Sequence, residues 1–121
     1  GKGRPQREES MNDCIFCKIA GGTIRSDRVY EDEQVVVFKD IYPKAPVHLL
    51  MVPRQHVESL NDLTSAHDGL MMHILRTLPE VARRAGLTDG YRTIINTGRG
   101  GGQEVFHLHL HILGGGPLPG F

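Results

Sequence analysis

Near its C-terminal end the chain reads Phe106-His107-Leu108-His109-Leu110-His111-Ile112-Leu113-Gly114-Gly115, three histidines in strict alternation with aliphatic residues. A period of two is that of a half-buried β-strand, so the spacing predicts three imidazoles on one face and Leu108, Leu110 and Ile112 on the other. At a rise of about 3.3 Å per residue, neighbouring histidines stand about 7 Å apart and the outer two about 13 Å apart. One small reacting group can touch His109 and one neighbour, so the three positions carry different tasks, with His109 at the centre. A neutral imidazole is a competent nucleophile, and its ordinary pKa of about 6.5 leaves much free base near neutral pH. Just upstream, Gly98-Arg99-Gly100-Gly101-Gly102 would let backbone amides converge on an anion, with Gln103 and Asn96 as neutral donors. Together these features predict a phosphate held before a nucleophilic histidine. The plain alternatives are a strand face that happens to carry histidines and an ordinary flexible hairpin loop.

The second constellation is Cys14-x-x-Cys17, which holds both of the chain's cysteines. A pair so close in sequence cannot staple a fold, which points to metal binding or redox chemistry. Tetrahedral zinc needs four ligands and this pair supplies half; two reduced, unliganded thiols are the other reading.

The elements that must position these groups are legible from pattern. Cys14 to Ala20 reads as a short helical turn ended by Gly21-Gly22. Arg28–Glu31 and Gln34–Phe38 flank Asp32-Glu33 as a hairpin, and Val47–Val52 is a third strand closed by Pro53. Thr64 caps a helix expected to run to about Ala85, with a stripe of Leu70, Met71, Ile74, Leu75, Leu78, Val81, Ala82 and Ala85 and a stop at Gly86. Pro79 should kink it near the carbonyl of Leu75. His67 and His73 are expected on this helix as solvated surface residues. Tyr91–Asn96 is a fourth strand and Val105–Leu113 a fifth, antiparallel to it. The expectation is an α+β fold: a five-stranded, mostly antiparallel sheet with one long helix and a short N-terminal helix.

With 121 residues there is room for one domain, expected over residues 13–121 after a polar, disordered tail at 1–12. Lys plus Arg and Asp plus Glu each number 14, so no broad positive field marks a general nucleic-acid binder. No long apolar run suggests a membrane span, and the expectation is a soluble, cytoplasmic protein.

His107-Leu108-His109-Leu110-His111-Ile112-Leu113 with Gly102-Gln103 resembles the signature of the histidine triad (HIT) family. Phe38 to His48, Leu50 to His56, Gly90-Tyr91-Arg92 and Asn96 are similar to its Hint branch, so that the resemblance covers about residues 13 to 121. It implies a nucleotidyl hydrolase or transferase, usually homodimeric, acting on nucleoside monophosphate esters and amidates. Carried over by position, His109 is the nucleophile and forms a nucleotidyl-imidazole intermediate. His111 contacts the phosphate and leaving group, while His107 and His48 support the tautomer of His109. Asp40 takes the ribose hydroxyls, Ile41 packs on the base, and Asn96, Gln103 and the Val105 backbone hold the phosphate or leaving group. Glu104 stands in the same stretch, where many members of the branch have Ser and bacterial-type members often have Glu. Family members with an N-terminal cysteine pair often build a structural zinc site, here Cys14, Cys17, His56 and His107; no organic cofactor is implied. The expected activity is P–N cleavage of purine nucleoside 5′-monophosphoramidates. Dinucleoside polyphosphate hydrolysis and a zinc-stabilised nucleotide-binding interaction module are the alternatives.

Overall fold

Val35, Val36 and Val37 are all fully buried, which requires a strand covered on both faces. The computed structural model describes residues 13–121; the tail expected at 1–12 lies outside them. In chain order come α1 (Ile15–Ala20), β1 (Arg28–Glu31), β2 (Val35–Lys39), β3 (Val47–Pro53), 3₁₀ turns at Leu60–Asp62 and Ser65–His67, α2 (Asp68–Arg84), β4 (Arg92–Ile94), a 3₁₀ turn at Arg99–Gly101, and β5 (Leu110–Gly114). The five strands pair antiparallel in the order β1-β2-β3-β5-β4. The last strand is therefore inserted between β3 and β4.

Alternation along the strands sorts the core. Val35, Val37, Leu49, Met51, Leu110 and Ile112 meet Leu70, Ile74, Leu78, Val81 and Ala82 of α2 on one face. Val36, Phe38, Leu50 and Val52 meet Phe16, Ile19 and Ala20 of α1 on the other. With six residues, α1 is too short to hold itself. Arg28 donates to the carbonyl of Ile19, and Arg54 donates from Nη1 to that of Ala20 (2.7 Å), so a guanidinium from β1 and one just past β3 cap its open C-terminal end.

The helix does not run unbroken from Thr64: a capping box between Thr64 and His67 closes a 3₁₀ turn first, and α2 begins at Asp68. His67 is thereby a cap rather than a free surface group. Leu75, placed in the apolar stripe, is 53 % exposed beside exposed Pro79. The helix continues through Pro79 there, where water can take the carbonyl that proline leaves without an amide. Strands 4 and 5 are shorter than expected, because the residues on either side of the glycine loop are spent on the site rather than on the ladder.

His73 is not merely solvated. Its Nε2 lies 2.8 Å from Asp32 Oδ2, tying α2 to the β1–β2 turn. Asp32 also accepts from the amides of Gln34 (2.7 Å) and Val35 (2.9 Å) and from the Tyr30 hydroxyl (2.8 Å). Burial alone would raise its pKa, but these donors outweigh it and bring it to about 2 from 3.8. A carboxyl with a lowered folded pKa stabilises fully above its unfolded value and loses that contribution as pH falls through the folded one. Asp32→Ala is therefore expected to cost about 1–3 kcal/mol at neutral pH. In thermal melts, its deficit relative to the parent should hold above pH 3.8 and close as pH falls toward 2. A deficit unchanged across that window would refute the assignment.

Candidate active site

The histidine run enters the sheet only at its end: β5 begins at Leu110, leaving His107 and His109 in the approach to it. There the Leu108 amide donates to the carbonyl of Val57 (2.6 Å), outside the strand ladder. The alternation still sorts the side chains, with Leu108, Leu110 and Ile112 fully buried. His109 and His111 line one cavity with ring centroids 5.1 Å apart, whereas His107 is turned away into the protein.

His109 is nearly buried, with the edge of Phe16 packed on it at 5.0 Å between centroids. Its Nδ1–H donates to the backbone carbonyl of His107 (2.7 Å), so that neutral His109 keeps its lone pair on Nε2. Burial pushes its pKa down, against the pull of that carbonyl and of Asp40. His107 was expected to support this tautomer through its ring. It is the main chain of His107 that does so, because the ring is committed elsewhere: Nε2 is 2.7 Å from the carbonyl of Pro53.

His48 and His111 form a second chain. The Lys44 amide donates to His48 Nδ1 (3.0 Å), which puts the proton of neutral His48 on Nε2. That nitrogen donates to His111 Nδ1 (2.9 Å), leaving His111 with Nε2–H as a donor. Asp40 Oδ2 lies 3.4 Å from His48 Nε2, and Asp40 Oδ1 accepts from the Tyr42 amide (2.8 Å). One oxygen of Asp40 thus caps the turn after β2 while the other faces the site. Burial, and then the neighbouring charges of His109 and His48, hold His111 down to about 4. Both rings are therefore neutral near pH 7.

The cavity has a volume of about 790 Å³. Phe16, Ile19, Ile24 and Phe38 line its apolar end with Val105 packed against them, and Asn96, Gly102 and Glu104 line the end at β4. Ile41 stands at the rim, 81 % exposed. Gln103 does not reach the cavity. It is buried, with Oε1 accepting from the Gly98 amide (2.8 Å) and Nε2 donating to the carbonyls of Glu58 (2.7 Å) and Val105 (3.0 Å). The expected convergence of glycine amides on an anion is likewise redirected. The amides of Gly101, Gly102 and Gln103 bond back to Gly98 and Arg99, closing a 3₁₀ turn that Gly102 ends at φ +86°. Asn96 Nδ2 donates to the Gly101 carbonyl (2.8 Å), so it positions the same loop while lining the cavity.

On the far side of His107 stand Cys14, Cys17 and His56. The four ligand atoms lie within 4.8 Å of one another. His107 Nδ1 is 3.3 Å from Cys14 Sγ, 3.5 Å from Cys17 Sγ and 3.1 Å from His56 Nδ1, while Cys17 Sγ is 3.3 Å from His56 Nδ1. A tetrahedral zinc with two thiolates and two imidazoles has ligand–ligand edges of about 3.3–3.8 Å, so spacing and donor chemistry both fit. Cys14 is also the N-cap of α1, its sulfur accepting from the Cys17 amide. One short helix thus carries half of this cluster and, through Phe16, a wall of His109. Phe16 was not singled out from sequence, and its only signal is its place between the two cysteines.

A family model described as the scavenger mRNA decapping enzyme C-terminal binding region matches residues 13–116. Protein HitA of Neisseria gonorrhoeae is 54 % identical over 104 residues, 86 % of this chain and 97 % of that protein. The purine nucleoside phosphoramidase of Escherichia coli K12 is 44 % identical over 105 residues, 86 % of this chain and 88 % of that protein. Among solved structures, a histidine triad protein from Clostridium difficile superposes with a TM-score of 0.86 at 47 % identity, over 90 % of this chain and 96 % of that one. A HIT family hydrolase from Legionella pneumophila gives 0.85 at 44 %, over 88 % and 96 %. The fold is that of the histidine triad hydrolases, and the chain belongs to the histidine triad family.

Because buried Gln103 satisfies two partly buried carbonyls and one amide, Gln103→Ala should destabilise the protein by about 1–3 kcal/mol through groups left unpaired. Chemical denaturation measures it. A loss near zero would mean that water replaces the amide and the loop does not depend on it.

Proposed function

We propose that this protein hydrolyses purine nucleoside 5′-monophosphoramidates through a nucleotidyl-His109 intermediate. The observation that carries the reading is the bond from His109 Nδ1–H to the His107 carbonyl, which leaves Nε2 as a fixed free base at the cavity. The apolar end of the cavity suits a flat base, and Asp40 beside it suits the ribose hydroxyls. The name of the Escherichia coli relative points to the same substrates.

In the first step Nε2 attacks phosphorus, an N–P bond forms, and the substrate's own P–N bond breaks. The amine leaves with the bonding pair and takes up one proton. His111 Nε2–H, oriented through His48 by the Lys44 amide, is the donor that suits the phosphate and the departing nitrogen. In the second step water attacks the phosphorus, an O–P bond forms and the Nε2–P bond breaks, His109 recovers the bonding pair, and the proton that water loses returns to the site. Burial keeps His109 unprotonated for the attack, and its Nδ1 contact with a carbonyl stabilises the cation formed once Nε2 is bonded to phosphorus.

Cys14, Cys17, His56 and His107 would hold a zinc ion whose task is structural. It offers no open position to substrate, and it would tie α1 to the chain that bears His109. The bond from His107 Nε2 to Pro53 is compatible with this, since it leaves Nδ1 toward the sulfurs. A homodimer is also proposed. β4 is an open edge strand, and Met72 and Leu75 expose apolar surface on the outer side of α2.

Loss of the nucleophile in His109→Ala should lower turnover of an adenosine phosphoramidate by at least about a thousandfold while nucleotide binding persists. Quenched mass spectra of the parent protein should carry a nucleotidyl adduct. Activity within tenfold of the parent would sink the assignment, and faster cleavage of a diadenosine polyphosphate would move the substrate class. Elemental analysis should find one zinc per chain, and Cys14→Ser or a chelator should lower the melting temperature. Metal-free protein that neither rebinds zinc nor gains stability from it would leave the cysteines as free thiols. Light scattering should return twice the chain mass, and a monomer at micromolar concentration would refute the dimer.

A further inference from the structure

The sheet order lays the cavity out as a sequence of compartments. From β2 across β3 and β5 to β4, its wall passes from Phe38 and Asp40 to His48, then His111, then Ile94 and Asn96. α1 covers β2 and β3, so the apolar compartment lies at that end and the histidines in the middle. What remains for the leaving group is the β4 end, and there Glu104 stands.

Charge is distributed unevenly along this path. Arg25, Lys39 and Lys44 line the cavity toward β2, together with Asp27 and Asp40. Toward β4, Glu104 is the ionisable side chain in the wall, in the loop that carries Gly102 beside Asn96. It is exposed and makes no hydrogen bond or ion pair among the described residues. Arg92 shares a face of β4 with Ile94 but lies farther along the strand and outside the cavity wall, and exposed Arg99 is also outside it. An unpaired carboxylate next to a phosphate site opposes an anionic ligand unless positive charge in the ligand meets it. The nucleoside and phosphate leave nothing at this end of the substrate except the amine.

Resting on the phosphoramidase reading, we propose that Glu104 is a specificity-determining residue for the leaving group, favouring phosphoramidates whose amine carries a second, cationic group. An exposed ion pair is worth up to about 1 kcal/mol, so the preference over a neutral amine of the same length is at most about fivefold. The pairing exists before P–N cleavage as well as during it, so it should appear mainly in KM, and it should shrink as salt rises.

The test measures kcat/KM with the zinc-loaded full chain on three adenosine 5′-phosphoramidates. Their amines are an n-alkylamine, the terminal diamine of equal length, and the ω-amino acid of equal length. The expected order is diamine, then alkylamine, then amino acid. Glu104→Gln should collapse the ratio of diamine to alkylamine toward one, and Glu104→Lys should invert the series. Equal kcat/KM for all three substrates, or a preference unchanged in Glu104→Gln, would overturn the role of Glu104 alone. No turnover of any of them would overturn the phosphoramidase reading itself.

Discussion

The hydrogen bond from His109 Nδ1 to the carbonyl of His107 is where the structure converges. It needs the chain before β5 to leave the ladder, since a carbonyl paired across a sheet is not free to take an imidazole. It also needs the His107 ring to be withdrawn, which the Pro53 carbonyl and the two cysteines accomplish on the other side. Phe16 then closes over both imidazoles, at 6.1 Å from His107 and 5.0 Å from His109. A six-residue helix could not do this alone; Arg28 and Arg54 hold its end to the strands.

Two neutral relays with opposite proton placement result. In His109 a carbonyl accepts the hydrogen bond from Nδ1–H and leaves Nε2 a base. In His111 the donor His48 occupies Nδ1 and leaves Nε2–H an acid. Backbone groups start both relays, the carbonyl of His107 in one and the amide of Lys44 in the other. Side chains one alternation apart are thereby given complementary roles by main-chain polarity rather than by charge. Burial supports this by disfavouring the imidazolium forms of both.

The glycine loop shows how a motif can be read for the right place and the wrong contact. Its composition marks a tight connection near the site, and that is where it lies. The amides that composition suggests for an anion are consumed in a 3₁₀ turn, and Gln103, a plausible phosphate donor by type, is the buried clamp of that turn. Asn96 braces it from β4. The loop's rigidity, with Glu104 and Val105 emerging from it into the cavity, is its contribution to the site.

Local pattern determined what local physics controls. Runs of β-rich residues placed β2 and β3, period-two alternation placed the inward-facing aliphatics of β5, and the 3.6-residue stripe placed the buried face of α2, because side-chain direction follows backbone period. Residue type and spacing also marked the histidine run and Cys14-x-x-Cys17, since imidazoles and thiols are scarce and their chemistry is particular. Tertiary structure alone decided the rest. It inserted β5 between β3 and β4, paired His73 with Asp32, brought His56 to the cysteines, turned Gln103 inward, and used the main chain of His107 where its side chain was expected. Each of these joins groups far apart in the chain or selects a backbone atom over a side chain. Such choices depend on which polar groups burial leaves in need of a partner, and that is known only once the layers have closed.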